Sequence, residues 1–208
     1  MPERVLNGLR LAFGLLTVTA LGFQLYRLGV QGGSVGNFFS YFTILSNVLG
    51  AAVFLVGGVR GLRGGRPVPD LLRGAATLYL TITGLVYLVA LQGLGLGLTL
   101  PWVNDVLHRI MPLVVLADWL AAPPRRPIEY HRALRWLLFP LLYLPYTLIR
   151  GRITDWYPYP FLDPGRHGGY ARVAVASAMI TVAFLGIGAL LVVIGNRLGA
   201  RARSGRTS

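Results

Sequence analysis

The chain has 208 residues, of which 54% are hydrophobic and 13% are charged, and its mean hydropathy is +0.60. These values exclude an ordinary soluble globular domain of this length and favour an integral membrane protein. The formal net charge of +13 comes from arginine, because lysine is absent, and cysteine is absent as well. A cysteine nucleophile and a disulfide framework are therefore excluded.

A helix needs about 20 apolar residues to cross about 30 Å of hydrocarbon, and the sequence contains six such stretches. The predicted spans are residues 11–30, 38–59, 74–96, 103–122, 133–149 and 173–194. They use most of the chain, so any function must reside inside the bundle or in its short loops. We expect an all-α integral membrane protein, with a six-transmembrane-helix domain over residues 1–196 and a basic disordered tail over residues 197–208.

The arginine distribution predicts the orientation of the chain in the membrane. Fourteen arginines fall at the two termini and in the second and fourth connections, whereas five fall in the first and fifth. Positive charge accumulates on the cytoplasmic side, so we expect both termini to be cytoplasmic in the cell membrane. This distribution explains the basic charge without nucleic acid and leaves membrane lipids as the expected partners.

Three short polar clusters interrupt the apolar pattern, at residues 37–47, 102–109 and 154–170. The predicted topology brings all three near the same, extracytoplasmic, membrane face. His108 is the main ionisable residue inside a predicted span, where it is costly unless paired, hydrated or used. At about 1.5 Å per residue it lies about 9 Å below Trp102, and Thr43 lies at a similar depth below Asn37. The two side chains can therefore meet across a helix interface.

A threonine hydroxyl and a neutral imidazole form a coherent catalytic pair. Thr43 becomes a nucleophile when a neighbouring base removes its proton, and His108 can act as that base near pH 7. Asn104 and Asp105 precede His108 by one helical turn and are candidates for orienting its ring. The candidates for oxyanion support are backbone amides, Ser46 and Asn47.

A structural role for the same residues is the alternative. Thr43 would then bond to a carbonyl of its own helix, and His108 would pack in a polar cluster with Asp105 or Arg109. Only His108 among the three histidines falls inside a span, so a multi-histidine metal site and haem ligation are not expected. No cofactor is predicted.

The last polar cluster contains a stretch rich in proline and aromatic residues, from Trp156 to Asp163. Prolines stiffen such a loop, and tryptophan and tyrosine suit the headgroup boundary, so the loop is a candidate cap over a cavity. Trp156 and Tyr159 are either interface anchors or substrate contacts. Asp163 pairs with a neighbouring arginine, Arg150 or Arg166, or else reaches the site.

These clusters resemble the androgen-induced-gene and androgen-dependent-TFPI-regulating family of membrane threonine hydrolases, and the whole chain is most similar to its bacterial six-span relatives, the Pr-six-Pr family. The matching residues are Phe42-Thr43, Trp102-Val103-Asn104 followed by His108 and Pro112, and Tyr159-Pro160-Phe161-Leu162-Asp163. In the family, a threonine and a histidine within the bundle are implicated in cleaving fatty acid esters of hydroxy fatty acids. The resemblance assigns these roles to Thr43 and His108.

The sequence departs from the animal members of that family around the pair. Asp105 stands where a histidine is expected, Ser46 and Asn47 stand where an acidic residue follows the threonine by one turn, and Pro112 is displaced by one residue. The resemblance therefore implies the catalytic pair and a lipid-ester substrate, while the supporting residues and the substrate preference do not transfer.

We accordingly expect an intramembrane lipid-ester hydrolase, with two alternatives. A noncatalytic lipid-binding or partner-binding membrane protein would use the same outer cavity and aromatic loop. A small transporter would need a polar path across the bilayer, whereas the inner halves of the spans are apolar. Asp118, the obvious inner acidic residue, is expected to pair with Arg125 or Arg126.

Overall fold

The computed structural model describes residues 3–93 and 100–204, and this part of the chain is built from helices without β-strands. The α-helices are α1 (Glu3–Val30), α2 (Val35–Phe38), α3 (Phe42–Leu62), α4 (Asp70–Val86), α5 (Pro101–Asp105), α6 (Met111–Ala121), α7 (Tyr130–Ala133), α8 (Leu138–Thr154) and α9 (Gly169–Ser204). Two π-helical turns, Tyr87–Leu91 and Val106–Ile110, follow α4 and α5. One 3₁₀ turn, Leu134–Leu137, precedes α8, and another, Pro160–Leu162, lies in the α8–α9 loop.

Four described helices are long and apolar enough to cross a membrane: α1, α3, α9 and the rod formed by α4 with its π-helical turn. The predicted stretches 103–122 and 133–149 form compound helices, which run from Pro101 to Ala121 and from Tyr130 to Thr154. Residues 94–96, the predicted end of the third span, lie outside the described residues. Large apolar side chains are exposed along α8 and α9, as expected for surfaces that face lipid.

The predicted disordered tail is wrong for residues 197–204. Helix α9 continues through Ser204, and Arg203 donates to the carbonyl oxygen of Arg125 at 3.2 Å. The Asn196 side chain also bonds to both the backbone N–H and the carbonyl of Ile128. Together these contacts fasten the end of α9 to the α6–α7 connection. Composition alone indicated disorder because it did not reveal these partners. Residues 205–208 lie outside the described part.

Close packing of α1 on α3 depends on small residues. A Cβ added at Gly58 would lie 2.8 Å from the carbonyl oxygen of Asn7, and one at Gly14 would lie 2.8 Å from Leu55 Cγ. Real Cβ atoms do not tolerate these distances, so glycine permits the two backbones to approach. This pairing builds the first core around Ile44, Leu80 and Leu107, and a second core forms where α4 meets α8 and α9.

The predicted helical span 38–59 is interrupted at residues 39–41. Tyr143 on α8 stabilises the interruption, because its hydroxyl donates to the Ser40 carbonyl at 2.8 Å and accepts from the Phe42 N–H at 3.2 Å. The apolar run gave no sign of this break, since its cause lies a hundred residues away in sequence. As a consequence, α3 begins at Phe42 and Thr43 is its second residue.

A buried ion-pair network joins α1, α4 and α6. Asp118 accepts from Arg10 at 2.6 Å and from Arg73 at 3.0 Å, and Arg73 also donates to the Ala122 carbonyl at 2.7 Å. The expected pairing of Asp118 with Arg125 or Arg126 is therefore wrong. Helices α1 and α4 supply cations directly beside α6, so Asp118 needs no partner from the following loop.

Replacing Asp118 with alanine should leave two largely buried guanidinium groups without their shared carboxylate. We expect the free energy of unfolding to fall by about 3–5 kcal/mol, measured by reversible denaturation in detergent. Asp105→Ala is the matched control, since the Asp105 and Arg109 side chains are each 44% exposed and such a pair contributes at most about 1 kcal/mol. Equal losses in both variants would contradict the stabilising role of the network.

Candidate functional site

Thr43 occupies the first turn of α3, where backbone N–H groups have no partner within the helix. Its N–H donates instead to the Tyr159 hydroxyl, at 3.2 Å. Its side chain is buried, with Oγ1 lying 3.3 Å from His108 Nε2 and 3.3 Å from the Tyr159 hydroxyl. The structure thus brings together the two residues expected to meet, and it adds a second hydroxyl, that of Tyr159, to the pair.

His108 lies in the π-helical turn Val106–Ile110, four residues before Pro112. Proline has no N–H to donate to the His108 carbonyl, and its ring would clash with that carbonyl in a regular α-helix. The wider turn relieves this clash, and such turns occur frequently at functional sites. Gly84 permits α4 to pack there, because an added Cβ would lie 2.8 Å from Pro112 Cβ and 3.2 Å from the His108 carbonyl oxygen.

The backbone carbonyl of Asn104 determines which nitrogen of His108 carries the proton. Nδ1 lies 3.2 Å from that oxygen, and a carbonyl can only accept a hydrogen bond. In the neutral ring Nδ1 is therefore the donor, and Nε2 is left to accept from the Thr43 hydroxyl. This tautomer is assigned from the hydrogen-bond partners of the two ring nitrogens, because those partners determine which nitrogen carries the hydrogen.

Tyr87 supports the imidazole from its face. The two rings stack with centroids 4.4 Å apart and planes inclined by 28°, and the Asn104 side chain donates to the Tyr87 hydroxyl at 2.6 Å. Asn104 therefore orients His108 through its backbone carbonyl and holds Tyr87 through its side-chain amide. The candidate role of Asn104 in orienting the ring is seen in the structure, but through the backbone.

Tyr159 completes a directed chain of hydrogen bonds. Burial raises the pKa of its hydroxyl to about 12, so the group stays protonated at neutral pH. It accepts from the Thr43 N–H, which leaves its own proton to donate to Thr43 Oγ1, and Thr43 in turn donates to His108. The chain ends at the Asn104 carbonyl. The nucleophile candidate, the base candidate and the orienting acceptor are thus connected in order.

Ser46 and Asn47 do not reach the position expected of oxyanion donors. The amide group of Asn47 uses its two N–H bonds on the carbonyls of Thr43 and Leu107, at 2.9 and 3.1 Å. Ser46 is completely buried, and its hydroxyl has no hydrogen-bond partner in the described part of the chain. Asn47 instead fastens α3 to the turn that carries His108, which is a positioning contact.

Three other residues were expected near the site, and each makes contacts of its own. Asp105 pairs with Arg109 at 2.6 Å and not with His108. Asp163 pairs with Arg166 at 3.4 Å and accepts from the Gly165 N–H, so it shapes its own loop instead of reaching the site. Trp156 packs edge-on against Tyr41 and lines the cleft beside Thr43.

Two cavities of different character meet at Thr43 and Tyr159. One is an apolar cavity of about 120 Å³ between α4, α8 and α9. The other is a cleft of about 440 Å³ that contains the His108 side of the site. Among the described residues, no cluster of three or more His, Cys, Asp or Glu side chains is placed to hold a metal ion. The arrangement can activate the Thr43 hydroxyl and accommodate an apolar chain beside it.

Tyr87 and Tyr143 were not predicted from the sequence to belong to the site. Both fall inside predicted apolar spans, and the chain contains ten tyrosines, so tyrosine alone distinguishes neither. Their roles depend on which helix faces which, and the expected spans left this undetermined. The one local signal was Pro112, which predicts distortion of the preceding turn.

The hydrogen-bond chain predicts that His108 is a neutral ring protonated at Nδ1. Nitrogen-15 NMR of histidine-labelled protein should show a protonated Nδ1 and an unprotonated Nε2 at pH 7.5. His131→Gln, in α7, and His167→Gln, in the α8–α9 loop, would leave the His108 signals alone in the spectrum. A ring protonated at Nε2 would contradict the assignment, because Nε2 would then be unable to accept from Thr43.

Comparison of the chain with protein-family models, with curated proteins and with solved structures finds no match. The resemblance to membrane threonine hydrolases therefore stays a prediction from the three motifs. The geometry of Thr43, His108, Asn104 and Tyr159 is the basis for inferring a function.

Proposed function

We propose that the protein is an intramembrane ester hydrolase in which Thr43 is the nucleophile and His108 the general base and acid. The observation that carries this proposal is the buried contact of 3.3 Å between Thr43 Oγ1 and His108 Nε2, with His108 Nδ1 held by the Asn104 carbonyl. A hydroxyl, a base and an acceptor that orients the base form the arrangement that activates a hydroxyl nucleophile. Here a backbone carbonyl occupies the place of a carboxylate.

In the acylation step, Thr43 Oγ1 attacks the ester carbonyl while its proton moves to His108 Nε2. The carbonyl π electrons pass to oxygen and form an oxyanion. When the oxyanion collapses, the bond to the alcohol oxygen breaks and the alcohol leaves with the proton from Nε2. The acyl group is then esterified to Thr43, and His108 is neutral again.

Tyr159 is the candidate donor to the oxyanion. Its protonated hydroxyl lies 3.3 Å from the attacking oxygen, so a short rotation of the O–H bond directs the proton toward a carbonyl bound at Thr43. A single preorganised donor of this kind contributes substantially to the rate of acyl transfer. The Thr43 N–H already bonds to the same hydroxyl and increases its ability to donate.

In the deacylation step, water attacks the acyl carbonyl and gives its proton to His108 Nε2. The bond between the acyl carbon and Thr43 Oγ1 breaks, Thr43 recovers the proton, and a fatty acid leaves. The cleft on the His108 side admits this water. No cofactor takes part in either step.

The apolar cavity suits the acyl chain of a lipid. Its lining includes Ile82, Phe184 and Leu162, and its rim on α8 includes Leu141, whose side chain is 61% exposed. Because that rim faces the lipid side of α8 and α9, an acyl chain enters laterally from the bilayer. Membrane lipids are then both the surroundings and the substrate source.

The six-span topology belongs to the same proposal. The compound helices Pro101–Ala121 and Tyr130–Thr154 serve as the fourth and fifth spans, beside the four membrane-length helices. Both termini are cytoplasmic, as the arginine distribution favours. Thr43, His108 and Tyr159 lie at the ends of their elements away from the arginine-rich α3–α4 connection, so with cytoplasmic termini the site falls in the extracytoplasmic half of a cell membrane.

Turnover of esters tests the catalytic pair. Purified protein in nanodiscs should hydrolyse a fluorogenic long-chain ester, and Thr43→Ala and His108→Ala should each reduce kcat by about 10³-fold or more, because the residues act as a unit. Thr43→Ser keeps a hydroxyl and should retain part of the activity. All variants should show the wild-type unfolding midpoint within a few degrees.

Undiminished turnover by Thr43→Ala would reject Thr43 as the nucleophile. Saturable lipid binding by the wild type without turnover of any ester in a broad panel would favour a noncatalytic lipid-binding protein instead.

Tyr159→Phe tests the oxyanion donor. We expect kcat to fall by about 10²-fold with little change in KM, since the lost hydrogen bond stabilises mainly the transition state. Tyr157→Phe is the matched control in the same loop and should retain kcat, because the Tyr157 hydroxyl makes no hydrogen bond to the described residues. Equal kcat values for the two variants would exclude Tyr159 from this role.

A further inference from the structure

The cleft on the His108 side differs in chemistry from the apolar cavity. Its polar lining consists of uncharged hydrogen-bonding groups in addition to Thr43 and His108, and its described residues include no Arg, Asp or Glu. Among these neutral polar groups are Gln24, Ser34, Asn37, Tyr41, Asn104 and Tyr159. Thr43 lies between the two cavities, so the two parts of a bound ester meet different environments.

Asn37 presents a hydrogen-bond donor at this cleft. Its Oδ1 accepts from Arg150 at 2.6 Å, and a guanidinium can only donate, so the contact fixes the orientation of the amide. The amide NH₂ group of Asn37 makes no hydrogen bond within residues 3–93 and 100–204. Arg150 in turn stacks on Trp156, with its guanidinium carbon 5.2 Å from the ring centroid, and so holds Asn37 in place.

Asn104 presents an acceptor at the same cleft. Its amide nitrogen donates to the Tyr87 hydroxyl at 2.6 Å, and its Oδ1 has no donor among the described residues. An amide donor on the α2 side and an amide acceptor on the α5 side match hydroxyl groups, which donate and accept at once. A phosphate or a carboxylate would instead need cations in the lining.

We propose that the substrate joins a long apolar acyl chain to a neutral polyol, such as glycerol or a sugar. This inference rests on the proposed hydrolase function. The acyl chain occupies the apolar cavity, and the polyol occupies the cleft with its hydroxyls on Asn37 and Asn104. The ester bond then lies at Thr43, and hydrolysis yields a fatty acid and the free polyol. An ester of two apolar chains would leave the Asn37 NH₂ group and Asn104 Oδ1 without hydrogen-bond partners, so binding of such an ester is disfavoured.

Three esters with the same acyl chain test the proposal: 1-oleoylglycerol, oleyl oleate and oleoyl lysophosphatidic acid. We expect kcat/KM for wild-type protein in nanodiscs to be at least about 10-fold higher with 1-oleoylglycerol than with either other ester, since each hydrogen bond contributes about 3- to 10-fold. Asn37→Leu should lower the ratio of 1-oleoylglycerol to oleyl oleate by about that factor. Asn37→Asp keeps an acceptor for Arg150 but loses the donor, and it should lower the ratio as well.

The ratio within each variant corrects for differences in folded fraction. Thr43-dependent hydrolysis that favours oleyl oleate would overturn the polyol assignment while leaving the hydrolase function standing. Preference for the phosphate ester would overturn it as well and would indicate that Arg150 dominates recognition. Absence of Thr43-dependent turnover with all three esters and with a small activated ester would overturn both proposals.

Discussion

The hydrogen bond from His108 Nδ1 to the Asn104 carbonyl is the constraint on which the site depends. It fixes the tautomer of the neutral imidazole, with the proton on Nδ1 and Nε2 free, and only that tautomer can accept from Thr43. His108 lies in the π-helical turn that accommodates Pro112, and Asn104 lies one turn earlier, in α5. The distorted turn positions the ring, and the carbonyl acceptor sets the direction of the hydrogen-bond chain.

A second interruption, at residues 39–41, positions Thr43 beside Tyr159. Because α3 begins at Phe42, the Thr43 N–H is free of the helix and bonds to Tyr159, and Tyr143 satisfies the neighbouring backbone groups. In an apolar interior, unsatisfied polar groups cost free energy. Two tyrosine hydroxyls from the far end of the chain remove this cost, so the break is maintained by tertiary contacts. The same contacts join α3, α8 and the α8–α9 loop around the junction of the two cavities.

Composition and hydropathy were sufficient to predict a helical membrane protein, because apolar stretches of membrane length have few other solutions. Equal predicted depths allowed Thr43 and His108 to meet, but the sequence did not show that their side chains face each other. The positions of Asp105 and Asn47 were not predictable, because Asp105 pairs with Arg109 and Asn47 bonds to two backbone carbonyls. The pairing of Asp163 with Arg166 was one of the stated alternatives. The role of Asn104 was predictable only in part, since a backbone carbonyl carries no sequence signature. Tyr87 and Tyr143 required knowledge of which helices face each other.

Covalent trapping is the most direct test of the central claim that His108 activates Thr43. Wild-type protein in nanodiscs would be treated with an alkyl fluorophosphonate, and the adduct located by intact mass and peptide mapping. We expect one phosphonate on Thr43, no adduct in Thr43→Ala and strongly slowed labelling in His108→Ala. Rapid labelling at another residue, or equal labelling of Thr43 without His108, would contradict it.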